Sequence, residues 1–421
     1  MVKIFLIVFF LFNLSVFSQV NQIKKVEVIQ SNDGFRLVKD NKPYYIKGAG
    51  GYEHLDLLSK IGGNSIRTWG TENAIEILDQ AHQKGISVCM GLWVGHERHG
   101  FDYNDEYAIT SQLEAFKKQV LKLKDHPALL MWSVGNEVDL FYKNFKVWNA
   151  VEDIAKMIKE LDPNHPVMTV TAGIEPCEVY MIKNYCPSID ILGVNTYGGI
   201  DNLGKMIRMY GWEKPYIVTE WGPHGHWESP NTDWDVAIEK TSKEKAKARE
   251  IAYKHIIDDK DLCLGSYAFL WGSKQEYTST WYGIFTEDDK TTQSIDVLNS
   301  YWNNIKRNKA PIINTLSLNN KSMSESVKVR KRSECIFEFN VKDPEEKKLF
   351  YNFEIMPEST DKRSGGEAEK APEALPIKIL EQSKERLVVK APNRSGPYRF
   401  FIFVSDEYNN VATANFPFYV K

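Results

Sequence analysis

The feature that most constrains this chain is a rhythm. Short apolar runs alternate with amphipathic stretches of helical period, and the cycle repeats eight times between Tyr44 and Leu270. The runs are Tyr44–Gly48, Ser65–Thr68, Ser87–Trp93, Leu129–Val134, Val167–Thr171, Ile191–Asn195, Tyr216–Thr219 and Gly265–Leu270. Helical patterns such as Asn73–Lys84, Thr110–Lys124, Val147–Leu161 and Ser242–Ile257 lie between them. Runs that are apolar on both faces suit parallel strands buried between two layers. Eight strand–helix units over about 250 residues predict an α/β fold, a closed (β/α)8 TIM barrel. Short strands with turns at Asn32–Gly34 and Lys39–Asn41 precede it.

After Asn308 helical periodicity stops and Trp disappears. Alternating segments follow: Ile312–Leu318, Ser326–Lys331, Cys335–Val341, Leu349–Ile355, Ile377–Leu380, Arg386–Val389, Tyr398–Val404 and Ala412–Val420. They predict a small C-terminal β-sandwich of immunoglobulin-like type. Within it, the polar stretch Pro357–Pro372 reads as a mobile loop. The expected division is a leader over 1–18, a barrel with N-terminal strands over 19–308, and the sandwich over 309–421.

The leader is read from Lys3, the apolar run Ile4–Phe12 and the small residues near Ser18, with cleavage expected at Ser18–Gln19. The run is too short to span a bilayer, and no cysteine follows it to carry a lipid anchor. A secreted or periplasmic monomer is expected. A net charge of −3 gives no electrostatic case for nucleic acid or an acidic membrane surface. Of five scattered cysteines, Cys89 and Cys263 read as buried thiols, and Cys177 with Cys186 as a candidate disulfide in an oxidising compartment.

Polar residues at the C-terminal ends of barrel strands face the site. Strand two brings Arg67 and Trp69; strand three brings Trp93 and His96. Strand four brings Asn136 and Glu137, and strand six Asn195 and Tyr197. Strand seven brings Glu220 and Trp221, and strand eight Trp271. Eleven tryptophans lie between Trp69 and Trp302, enough for both core and sugar-stacking faces. Two glutamates on opposite strands suit cleavage of a glycosidic bond. One protonates the leaving oxygen, and the other attacks the anomeric carbon. Arg67 and Tyr197 can keep Glu220 ionised for attack, while the charge of Glu220 raises the pKa of Glu137 and keeps its proton. Either glutamate alone is more often a solvated surface residue or a salt-bridge partner; the pair, with Asn136 and Trp271, makes the case. His96–His99 (HERH) lacks the spacing of a zinc site, and no metal or cofactor is expected.

These segments resemble the motifs of clan A retaining glycoside hydrolases. WSVGNE (Trp132–Glu137) is similar to the acid/base motif and VTEWGP (Val218–Pro223) to the nucleophile motif. NSIRTW (Asn64–Trp69) and GVNTYGG (Gly193–Gly199) are similar to the strand-two Arg and strand-six Tyr segments. The resemblance implies that Asn136 binds the sugar 2-hydroxyl and that Trp271 floors the pocket. The barrel resembles that of family 2 β-glycosidases, here without that family's large N-terminal sandwich domains. A barrel followed by an immunoglobulin-like module resembles family 158, which implies endo-β-1,3-glucanase activity on laminarin-type β-glucan. Gly91–Tyr103 and Lys274–Gly283 resemble family-level signatures, which puts His96 near the nucleophile and Trp281 against a sugar. Other readings are a different β-glycanase or exo-β-glycosidase of the clan, a transglycosylase, or a non-catalytic glycan-binding barrel.

Overall fold

The computed structural model describes residues 25–421; the expected leader and its cleavage site lie outside them. Eight parallel strands close into a barrel: β4 (Ile46–Gly50), β5 (Ser65–Arg67), β6 (Ser87–Leu92), β7 (Leu129–Val134), β8 (Val167–Ala172), β9 (Ile191–Asn195), β10 (Tyr216–Trp221) and β11 (Cys263–Ala268). They pair in chain order, and β11 returns to β4. Before them, β1 (Val26–Ser31), β2 (Gly34–Lys39) and β3 (Lys42–Pro43) form an antiparallel sheet. Val26 and Leu37 of this sheet pack with Ile46, Leu130, Met168, Ile191 and Ile217, so it caps the barrel core.

The helices wrap the barrel because each buries one apolar stripe. In α4 (Lys146–Leu161), Val147, Trp148, Val151, Ile154, Ala155 and Ile158 face inward. Each large apolar side chain buried this way contributes about 1.5–3 kcal/mol. Helix α7 (Ser242–Asp258) starts at a capping box between Thr241 and Glu244. No helix among the described residues is long and apolar enough to cross a membrane.

The last helix, α8 (Gln293–Trp302), ends ten residues before the first sandwich strand. One sheet orders as β12 (Ile312–Leu318), β14 (Glu334–Lys342), β17 (Arg386–Lys390) and β16 (Ile379–Gln382). The other orders as β13 (Lys328–Val329), β19 (Val411–Val420), β18 (Gly396–Ser405) and β15 (Phe350–Pro357). Their inner faces share a phenylalanine core in which Phe337 stacks on Phe400 at 3.8 Å.

The sandwich is docked on the barrel through buried polar groups. Glu239 pairs with Lys245, accepts from Thr278 and Thr280, and also accepts from Asn415 of β19. Arg399 of β18 donates to the Ala237 carbonyl at 2.9 Å. The stretch expected to be a mobile loop also leaves the sandwich and docks. Glu367 reaches His99 at 2.6 Å, and Glu369 accepts from the Tyr277 N–H at 2.7 Å.

One further expectation is corrected. Cys177 and Cys186 are separate thiols, one exposed and one buried. Cys177 lies in the first turn of the helix Pro176–Tyr185 and Cys186 just past its end. Nine helical steps separate them by about 13 Å, beyond the reach of a disulfide.

Candidate active site

Glu220 sits near the end of β10 and is buried. Three donors converge on its carboxyl. Arg67 Nη1 reaches Oε1 at 3.0 Å, Trp69 Nε1 reaches Oε1 at 2.8 Å, and the Tyr197 hydroxyl reaches Oε2 at 3.1 Å. Together they fix the carboxyl in place and aim it into the barrel mouth.

Glu137, just past β7, has different surroundings. Its backbone is left-handed, with φ of 51°, an arrangement that costs a non-glycine residue of order 1 kcal/mol. Its N–H donates to the Val170 carbonyl at 2.9 Å, and its own carbonyl accepts from Arg98 Nη1 at 3.1 Å. Both backbone groups are thus pinned, which fixes the direction of the side chain. Burial raises its pKa to about 7, and the negative charge of Glu220 pushes the same way. The two carboxyls therefore differ: one is ringed by three donors, and the other keeps a proton to near neutrality.

Asn136 lies between them. Its Oδ1 accepts from Arg67 Nη2 at 2.6 Å and from Asn195 Nδ2 at 3.1 Å. With the oxygen so committed, its amide N–H2 is the face left for a sugar hydroxyl. Asn195 also donates to Glu137 Oε1 at 2.8 Å and is itself oriented by Thr219. His96 is buried and donates its Nε2–H to the Asn136 carbonyl at 2.6 Å. Burial lowers its pKa to about 4, with Arg98 adding to the effect, so it is a neutral backbone brace. The other members of the HERH segment turn elsewhere: Glu97 accepts from the Lys143 and Asn144 N–H groups, and His99 meets Glu367.

Not every expected tryptophan reaches the pocket. Adjacent residues on a strand face opposite sides, and with Glu220 inward Trp221 points out, stacked on Tyr253 at 5.4 Å. Trp271 is also drawn out, donating to the Glu53 carbonyl at 2.8 Å and packing its edge on Phe285. The aromatic wall instead belongs to Phe269, two residues earlier. It packs against Trp69, Tyr197 and Tyr282 at 5.8–6.1 Å. Trp281 is buried behind that wall, held by the His224 carbonyl and ringed by His226 and Tyr277. Trp93 is 40% exposed, edge-on to His96 at the rim. The sequence reading missed Phe269, Tyr282 and Glu276. The Glu276 pKa is raised by burial above all and also by Glu220 and Glu369, and its carboxyl pairs with Lys274 at 3.1 Å. Phe269 lies in the strand-eight run, where Trp271 drew the assignment; Glu276 and Tyr282 lie in the Lys274–Gly283 segment, where Trp281 drew it.

A parallel eight-stranded barrel with two carboxyls in unequal surroundings at the C-terminal ends of β7 and β10 has the arrangement of a retaining glycosidase. A family comparison agrees: residues 52–307 match the model described as Glycosyl hydrolases family 2, TIM barrel domain. The chain belongs to that family. The barrel is thereby placed with family 2.

Among curated relatives, a β-glucuronidase of Paenibacillus borealis is 24% identical over 321 residues, 64% of this chain and 51% of the relative. Human β-glucuronidase is 23% identical over 215 residues, 44% of this chain and 31% of the relative. The chain thus spans about half or less of the length of these relatives. Among solved structures, a β-D-glucuronidase of Dictyoglomus thermophilum superposes with a TM-score of 0.54 at 21% identity, covering 67% of this chain and 54% of that one. A β-glucuronidase of Bacteroides uniformis gives 0.52 at 13% identity, covering 94% and 48%. That likeness takes in the sandwich as well as the barrel.

Proposed function

We propose that this chain is a retaining β-glycoside hydrolase that works by double displacement, with Glu220 as nucleophile and Glu137 as acid/base. The observation that carries this reading is the unequal surroundings of the two carboxyls. A Glu220 oxygen attacks the anomeric carbon as Glu137 gives its proton to the leaving oxygen, and the glycosidic bond breaks. The product is a glycosyl ester on Glu220. Esterification removes the charge that helps raise Glu137, whose pKa falls, so the carboxylate can take a proton from water. That water breaks the ester and releases the sugar with its configuration retained. Asn136 would donate to a sugar hydroxyl, and Phe269 with Trp69 would offer an apolar face.

The curated relatives are named β-glucuronidases, which supports a β-glycoside and makes a glucuronide the second reading. A neutral hexoside is favoured by the charges around the pocket. Arg67 is committed to Glu220 and Asn136, Arg98 donates to backbone carbonyls, and Lys274 is paired with Glu276. A uronate there would meet the carboxylates of Glu220 and Glu276, and the donors left to offset them are Nε and Nη2 of Arg98, which are buried without a partner. Endo-β-1,3-glucan cleavage, expected from the family 158 resemblance, gains no support from the family 2 match or from the curated relatives. A panel of p-nitrophenyl β-glycosides tests the proposal, with the anomer of the first product followed by NMR. A neutral β-hexoside should be turned over at least tenfold faster than the glucuronide, with retention. Inverted product, or full activity in both Glu137→Ala and Glu220→Gln, would overturn the roles assigned.

A further inference from the structure

The sandwich sends one loop across the catalytic mouth. We propose that Glu358–Pro372 is a specificity wall that confines cleavage to chain ends; this rests on the hydrolase reading above and adds the substrate's size to it.

The loop is built to hold a shape. Asp361 accepts from Arg363 Nε at 3.0 Å and from the Lys370 N–H at 2.9 Å, tying its two limbs together. Glu369 accepts from the Arg363 N–H at 2.9 Å with one oxygen and from the Tyr277 N–H at 2.7 Å with the other. The tip is Gly365–Gly366, both at positive φ, 66° and 70°, where a side chain is strained.

Its contacts fall on opposite sides of the barrel. On the strand-eight side, Lys362 lies 4.2 Å over the Tyr277 ring and donates to its hydroxyl at 3.1 Å, and Lys274 donates to the Gly366 carbonyl. On the far side Glu367 meets His99, beyond β6. A Cβ on Gly365 would lie 2.6 Å from Arg98 Nη2 and 3.1 Å from Leu140 Cδ2, beyond β7. In an eight-stranded ring β7 and β11 are diametrically opposed. The loop therefore bridges the mouth above the two glutamates, and its far end lies beside Arg98, which holds the Glu137 carbonyl. An extended polysaccharide threaded across the barrel would run into this bridge, whereas a terminal sugar would not.

Two variants test the wall. Glu367→Ala with Glu369→Ala removes an anchor at each end; deletion of Arg363–Glu367 shortens the span. The probes are the p-nitrophenyl β-glycoside that the panel selects, and β-1,3- and β-1,4-linked hexaoses of the same sugar labelled at the reducing end. Wild type should shorten the hexaose one sugar at a time. In both variants the ratio of internal to terminal cuts should rise at least tenfold relative to aryl-glycoside turnover. Internal cuts by wild type, or an unchanged single-sugar profile in variants that still melt cooperatively, would overturn the wall. A loop that only fastens the sandwich would lower Tm and leave the cut ratio alone. If Glu220→Gln leaves aryl-glycoside turnover intact, it is the catalytic assignment that fails and not the wall.

Discussion

Asn195 donates a hydrogen bond of 2.8 Å from Nδ2 to the Glu137 carboxyl, and this contact favours the ionised acid against the larger effects that raise its pKa. Burial and the charge of Glu220 raise Glu137 to about 7. Since the first step needs Glu137 protonated, kcat/KM should fall as pH rises through that value. Removing the contact in Asn195→Ala takes away support for the carboxylate, so the basic limb should move to higher pH. A limb that moves down, or stays fixed, would show that Glu137 is not the group titrating. In Glu220→Gln the repulsion is gone, and 13C NMR of labelled glutamate should place Glu137 below its wild-type value.

Arg67 is 1% exposed and spends its two Nη groups on Glu220 and Asn136. Arg67→Ala leaves a buried carboxylate without its ion pair. That should destabilise the protein by about 3–5 kcal/mol and lower kcat/KM by about 10²–10³-fold, the scale of losing one preorganised donor. Lysine carries the charge but not the planar fork that reaches two acceptors. Arg67→Lys should therefore recover stability better than rate. Parallel recovery of Tm and kcat/KM would mean that charge alone matters.

The barrel was legible in the sequence because its strands are apolar on both faces, and a run such as Leu129–Val134 admits few other readings. The carboxyls and Arg67 were legible for the same reason, each lying at or within three residues of the C-terminal end of a strand. Side-chain direction was less so. Trp221 follows an inward glutamate and must face out, and Trp271 was preferred over Phe269 on size. The bridging loop could not be read at all. Its charge and its glycines describe a solvated segment equally well, and the partners that dock it, His99 and Tyr277, are 268 and 92 residues away in sequence.

Asp139 gives the structure a pH dependence of its own. Burial, with a further push from Glu137, raises its carboxyl to about 7 from an ordinary 3.8, against the Ala172 N–H that it accepts. The folded protein therefore holds a proton that the unfolded chain has released between those values. Stability from this group is complete below pH 4 and lost as pH rises through 7. Asp139→Asn keeps an acceptor for Ala172 and removes the titration. Its Tm should exceed wild type at pH 8, with the gain shrinking as pH falls toward 4. An equal shift at every pH would exclude proton linkage.

The thiols offer a test of the corrected pairing. Cys186 is buried and its Sγ–H donates to the Trp148 carbonyl at 3.2 Å, while Cys177 is exposed at the other end of the same helix. Burial pushes Cys89, Cys186, Cys263 and Cys335 up to about 12, which leaves almost no thiolate at neutral pH. Cys177 should thus be the one cysteine that reacts rapidly with a disulfide reagent in the native protein, and Cys177→Ser should abolish that rapid phase. In denaturant without reductant all five should react. If only three react, Cys177 and Cys186 are joined after all, and the helix between them must unwind to let them meet.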